Sequence, residues 1–161
     1  MLGFVVFLFA CSSSPKTTEK KETFSFVCPE KWNASDQSVD LYNEFHCEPD
    51  GWGSSGLFIL QTFTDTLTPI NLMHQTYIAA FEENMLMQDF SMTKGSAHSF
   101  GSFSGVRSTY TGHLLGMKNE GEIYTFQACE RMMVVVKQYA LEDKNKYLAG
   151  FSEIEKSIIC N

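Results

Sequence analysis

Residues 103–140 read FSGVRSTYTGHLLGMKNEGEIYTFQACERMMVVVKQYA. Aromatic and β-branched residues recur through this stretch, interrupted by Gly116 with Lys118-Asn119-Glu120-Gly121 and by Cys129-Glu130. The pattern predicts strands over 103–114, 121–128 and 132–140, joined by breaks so short that antiparallel hairpins are the natural connection. Met133-Val134-Val135-Val136 is apolar without alternation, as expected of a strand covered on both faces. Immediately upstream, 90–98 reads as one further strand that ends before Gly101.

Outward from this meander the period changes. Thr68-Pro69 suits a helix start, with a capping oxygen followed by a proline whose missing N–H costs nothing there. Ile70, Met73, Tyr77, Ala80 and Phe81 then fall on one helical face, which predicts a helix to about Met87. On the other side, Tyr147, Phe151, Ile154 and Ile158 mark a helix over 144–159. Toward the N-terminus, Phe24–Cys28, Leu41–Cys47 and Leu57–Phe63 read as strands, and the polar residues 33–38 between the first two read as a loop. The fold class is therefore α+β: a single antiparallel sheet of about six or seven strands, with two amphipathic helices burying their stripes on its two faces as an α/β/α sandwich.

Composition narrows the function. The 161 residues carry a net charge of −7, and their 12 basic residues are scattered, which argues against nucleic acid as a partner, since phosphate neutralisation needs clustered Lys and Arg. After the N-terminus no segment approaches the ~20 continuous apolar residues of a membrane-spanning helix. Aromatic residues make up 14% of the chain, 14 of them Phe, so an aromatic-rich core is expected.

The first eleven residues, MLGFVVFLFAC, form a short apolar run ending at Ala10-Cys11, and a Ser, Thr, Lys and Glu tract follows. This resembles the signal peptide and lipobox of bacterial lipoproteins: the run is too short to span a bilayer but suits a signal h-region. The resemblance implies cleavage after residue 10, lipid on Cys11 and attachment to a membrane through that lipid. Residues 11–22 are expected to be the lipidated cysteine and a disordered tether, and residues 23–161 the globular domain. Ser12 rather than Asp after the cysteine favours the outer membrane over the inner where a cell has both.

With Cys11 assigned to lipid, Cys28, Cys47, Cys129 and Cys160 remain, an even number that suggests two disulfides in an oxidising compartment. Lengths pair Cys129 with Cys160: a strand over 132–140 runs out about 30 Å at ~3.3 Å per residue, and a sixteen-residue helix returns about 24 Å at ~1.5 Å per residue. Cys28 and Cys47 pair by elimination, although a plain hairpin of the first two strands places them at opposite ends. No Cys-x-x-Cys occurs, and His46, His74, His98 and His113 show no ligand spacing, so no metal and no cofactor are expected. Met73, Met85 and Met87 read as helix packing rather than a copper site.

Three stretches resemble the PsbP-like superfamily, which includes an extrinsic photosystem protein, a Ran-binding import factor and bacterial lipoproteins of DcrB type. They are Phe24-x-Phe26-x-x-Pro29-x-x-Trp32, Phe103-Ser104-Gly105-Val106, and Tyr147-x-x-x-Phe151-x-x-Ile154-x-x-Ser157-Ile158. Together they cover about Phe24 to Ile159. These are positions that maintain a fold, so the resemblance implies the sandwich architecture and no catalytic residue.

Motifs that suggest chemistry have plainer readings. Gly51-Trp52-Gly53-Ser54-Ser55-Gly56 matches a dinucleotide fingerprint but opens a strand, not the helix that would receive the pyrophosphate. Gly101-Ser102-Phe103-Ser104-Gly105 has Phe where a nucleophile elbow needs Ser. Glu82, Glu83, Asp89, Glu153 and Glu155 read as solvated faces, Asn33-Ala34-Ser35 as a polar loop, and Arg107 and His113 as two residues on one face of a strand. The expected function is a non-enzymatic accessory or protein-binding domain of the cell envelope. The alternative is a carrier or sensor of a small apolar ligand held between helix and sheet near Phe81 and Met85, and a hydrolytic enzyme comes third.

Overall fold

The deciding stretch folds as a three-stranded antiparallel meander whose register is continuous from Leu114↔Met117 to Gly105↔Phe126 and from Arg131↔Ala128 to Ala140↔Asn119. The computed structural model describes residues 16–20, 23–39 and 41–161. Along them run β1 (Thr17–Lys20), β2 (Phe24–Cys28), β3 (Trp32–Val39), β4 (Tyr42–Pro49), β5 (Leu57–Phe63), α1 (Ile70–Asn84), β6 (Gln88–Met92), β7 (Ser96–Phe100), β8 (Phe103–Leu114), β9 (Met117–Ala128), β10 (Arg131–Ala140), a 3-10 turn at Leu141–Asp143, α2 (Lys144–Ser157) and β11 (Ile159–Cys160). The expected signal peptide and Cys11 lie outside the described residues.

Among the described residues there are two sheets rather than one. Eight strands form the main sheet in the order β3-β4-β5-β10-β9-β8-β6, with β7 also on β8, and β1-β2-β11 form a second, three-stranded sheet. The single sheet of six or seven strands is thus corrected, and the reason is visible in β2. Phe24, Phe26 and Cys28 all point into the core, so this strand lies across the main sheet's face beside α2 instead of extending its edge. Strand β1 pairs with β2 from Thr17↔Cys28 to Lys20↔Ser25, so the expected tether over 11–22 is ordered at 17–20.

Strand β3 replaces the loop expected at 33–38. Its side chains are nearly all exposed, because it is an edge strand held by backbone pairing to β4 from Trp32↔Pro49 to Val39↔Tyr42. The turn between β8 and β9 is Leu115-Gly116, with φ of +52° and +82°, a left-handed pair suited to a two-residue hairpin. Lys118-Asn119-Glu120-Gly121, read as part of the break, belongs to β9. The helices are shorter than expected at their C-terminal ends, stopping at Asn84 and Ser157.

Strand β10 explains why the layers stack on both sides. Met133, Val135 and Tyr139 belong to the cluster with β2 and α2, while Val134 and Val136 belong to the cluster beneath α1. The first cluster is aromatic: Trp32 meets Phe151 edge-on at 5.4 Å, and Phe100 stacks on Phe126 at 5.0 Å. Such pairs contribute roughly 0.5–1.5 kcal/mol each beyond their buried area. Gly105 lies where a Cβ would collide with the Thr125 carbonyl, so the Phe-x-Gly-Val segment at the start of β8 is set by close strand packing.

Candidate functional site

The side chains most able to carry function sit under α1, where the neighbouring sheet edge is broken. Strand β6 pairs with β8 up to Met92↔Tyr110, and β7 resumes at Ser96↔Arg107, so the strand expected over 90–98 is two strands. Thr93 keeps contact across the break: its N–H donates to the Thr109 carbonyl at 2.8 Å, and its Oγ1 accepts the Thr109 N–H at 2.9 Å. Lys94 and Gly95 then leave the ladder opposite Ser108.

Into this gap drops His74 from α1. It is 1% exposed, with its Nε2 at 2.9 Å from Ser108 Oγ and its Nδ1 at 2.9 Å from Thr125 Oγ1. One neutral imidazole satisfies both hydroxyls, donating at one nitrogen and accepting at the other, and burial holds its pKa below the usual histidine value. Gly95 lies directly against the ring; a Cβ there would come within 2.8 Å of His74 Cδ2 and 2.7 Å of Val106 Cγ1. A glycine is therefore what allows the break to close over the histidine.

Above this floor opens a cleft of about 720 Å³. Helix α1 contributes Asn71, Gln75 and Ile78, the break contributes Lys94, and β7 and β8 contribute Ala97 and Val106. A shallower extension of about 320 Å³ continues past Ile70 and Ser104. The contact of His74 with Ser108 resembles a nucleophile and its base, but the third position is a threonine hydroxyl where a carboxylate is needed to hold the imidazolium. Ser108 is also 0% exposed, so no substrate carbonyl reaches its oxygen. The arrangement is a sealed hydrogen-bonded floor.

Two other polar clusters close on themselves. On the α2 side, the Lys137 ammonium is 2.8 Å from Glu155 and 3.7 Å from Glu122, and lies over the rings of Tyr124 and Phe100 at 4.7 and 5.0 Å. Glu155 also accepts the Gly101 N–H at 3.0 Å. Burial pushes its carboxyl up, but Lys137 and the Gly101 N–H outweigh this and hold it below the usual carboxylate value. On β4, Glu44 accepts from Gln37 at 2.8 Å, from His46 at 2.6 Å, and from Gln61. Its burial is likewise outweighed by these bonds, and its pKa is lowered.

The residues singled out from sequence fall as follows. Cys28 and Cys47 have Cα atoms 5.9 Å apart and Cys129 and Cys160 5.0 Å apart, both at disulfide distance and bonded. The obstacle foreseen for the first pair disappears because β2 and β4 belong to different sheets, and the bridge joins them face to face. Phe81 and Met85 do not line the cleft. They pack under the C-terminal half of α1, where Phe81 meets Tyr110 at 5.1 Å and Phe90 at 6.3 Å, so their assignment to a ligand pocket is corrected. Arg107 pairs with Glu122 at 3.4 Å, and His113 lies 3.4 Å from Asp89. His74, Lys94 and Gln75 were missed as site residues; His74 four residues after Ile70 on an otherwise apolar stripe was the available signal.

No protein-family model and no curated protein matches the chain. Solved structures do. LpqN of Mycobacterium tuberculosis, described as involved in cell envelope biogenesis, superposes with a TM-score of 0.58 at 14% identity, covering 91% of each chain. Cyanobacterial PsbP from Synechocystis sp. PCC 6803 gives 0.54 at 10% identity over 99% of each chain. PA94 of Pseudomonas aeruginosa, a protein of unknown function described as a putative regulator, gives 0.50 at 14% identity over 89% of this chain and 96% of its own. The fold is therefore PsbP-like, in agreement with the resemblance read from the three sequence stretches.

Proposed function

We propose that this chain is an exported, lipid-tethered, non-enzymatic binding domain of the bacterial envelope, and that the cleft between α1 and the broken β6–β7 edge is its working site. The observation that carries the reading is the cleft itself. Its volume of about 720 Å³ is lined by amides, a serine hydroxyl, one ammonium and apolar side chains, while the histidine beneath it is committed to two buried hydroxyls. Such a lining binds and orients; it lacks a paired acid and base for chemistry. Export is supported by two disulfide-bonded pairs, which persist in oxidising compartments, by the lipobox-like Ala10-Cys11, and by the fold shared with an envelope-biogenesis protein. No helix among the described residues is long and apolar enough to cross a membrane, and in this reading the tether is lipid on Cys11.

The test is a photoreactive side chain placed at Gln75 in cells, compared with one at Ser38 on the far edge strand, with adducts read by intact mass. Adducts specific to position 75 support the reading. Equal labelling at the two positions, or none at 75, overturns it.

A further inference from the structure

We infer that the cleft selects a small organic anion, one carrying a carboxylate or phosphate monoester on a short apolar body. The inference rests on the cleft being the working site and concerns what it accepts. The chain has 19 acidic residues against 12 basic, yet no carboxylate lines the cleft and Lys94 is its one charged side chain. Lys94 has no ion-pair partner among the described residues, whereas Lys16, Arg107, Lys137 and Lys144 each hold a glutamate. Other basic residues among those described, Lys118 included, are also without an ion pair, but Lys94 is the one that lines the cleft, so a ligand there can neutralise its ammonium without displacing an internal partner.

The surroundings match that charge. Asn71 and Gln75 are four residues apart on α1 and so share a face, which brings two amide donors to the cleft that Lys94 lines. The first turn of α1 carries no acidic residue, and Asp65, just before it, is turned back on its own loop by Thr68 Oγ1 at 2.6 Å and the Leu67 N–H at 2.9 Å. Ile78, Ala97 and Val106 supply the apolar wall. A cationic ligand would find no carboxylate here, and a purely apolar one would gain nothing from the ammonium and the two amides, which lie exposed at the cleft.

Binding of octanoate and octyl phosphate to the full chain tests this, with octylamine and octyl glucoside as cationic and neutral counterparts. Vesicles containing phosphatidic acid present a phosphate monoester as a headgroup and separate that source from a free ligand. Expected is saturable binding of an anion from one of the two sources, with octylamine at least about tenfold weaker, as one well-formed charge contact implies. Lys94→Gln should weaken that anion about tenfold and leave octyl glucoside unchanged, while Lys118→Gln, on β9 away from the cleft, should have no effect. Equal binding of octylamine, or indifference of the anion to Lys94→Gln, overturns the inference. Adducts at Gln75 together with no preference for anions would overturn the ligand class alone and leave the cleft as the working site.

Discussion

Replacing both Cys129 and Cys160 by Ser removes a cross-link with little else attached to it. Cys129 is half-buried and Cys160 exposed, so the double substitution opens no core cavity, and the loss is that of loop closure in the unfolded chain. The bridged residues are 31 apart in sequence, for which the chain-entropy relation predicts about 3.7 kcal/mol. For a domain of this size that corresponds to a fall in Tm of roughly 10 °C. Guanidinium denaturation followed by aromatic fluorescence measures it, the midpoint moving down and the slope rising as the freed unfolded chain exposes more surface. The second bridge offers an internal control. Cys28 and Cys47 are 19 apart, which predicts about 3.2 kcal/mol from the loop alone. Both residues are 0% exposed in the aromatic core, so Ala at both positions also forfeits packing, by about 1–2 kcal/mol more. The shorter loop should therefore be the costlier one to open. If the Cys129/Cys160 variant lost less than about 1 kcal/mol, loop entropy would not be the governing quantity, and if it lost more than its counterpart, the packing loss assigned to Cys28 and Cys47 would be refuted. Free thiols at 129 and 160 in the oxidised protein would refute the bridge itself.

His74 should limit stability on the acid side. Its folded-state pKa lies below the ordinary 6.5 because of burial, so below that pH the unfolded chain binds a proton that the folded chain resists. Stability is then full above pH 6.5 and falls as pH drops through it, before the lowered carboxyls of Glu155 and Glu44 add their own losses below 4.5. His74→Leu should abolish the first of these losses while costing about 2–4 kcal/mol at neutral pH through two unpaired buried hydroxyls; an unchanged pH profile between 7 and 5 would count against this account. At the β9–β10 turn, Cys129 and Glu130 both have positive φ, +53° and +58°. Glu130→Gly should raise stability by about 1 kcal/mol by relieving a left-handed non-glycine residue, and a loss of stability on urea denaturation would contradict it.

Local pattern was enough for the elements that bury a face. Strands β2, β5, β8 and β10 and both helices follow from periodicity and turn chemistry, because each side chain's alternation reports directly on whether it meets the core or water. The Cys129–Cys160 bridge was legible for a related reason: strand and helix have fixed rises per residue, so an outgoing strand and a returning helix of known lengths must bring their far ends together. Tertiary structure alone decided the rest. Strand β3 is polar on nearly every position and exists through its ladder with β4, which leaves no hydrophobic signature. The placement of β2 in a second sheet, and with it the Cys28–Cys47 bridge, depends on which surface the aromatic face of β2 covers, and a strand's alternation is silent on its partner. The cleft is the extreme case. It arises where one edge strand breaks at Thr93–Gly95 and a histidine 20 residues earlier in the chain settles between two strand hydroxyls, a meeting of three separate segments that only their packing brings about.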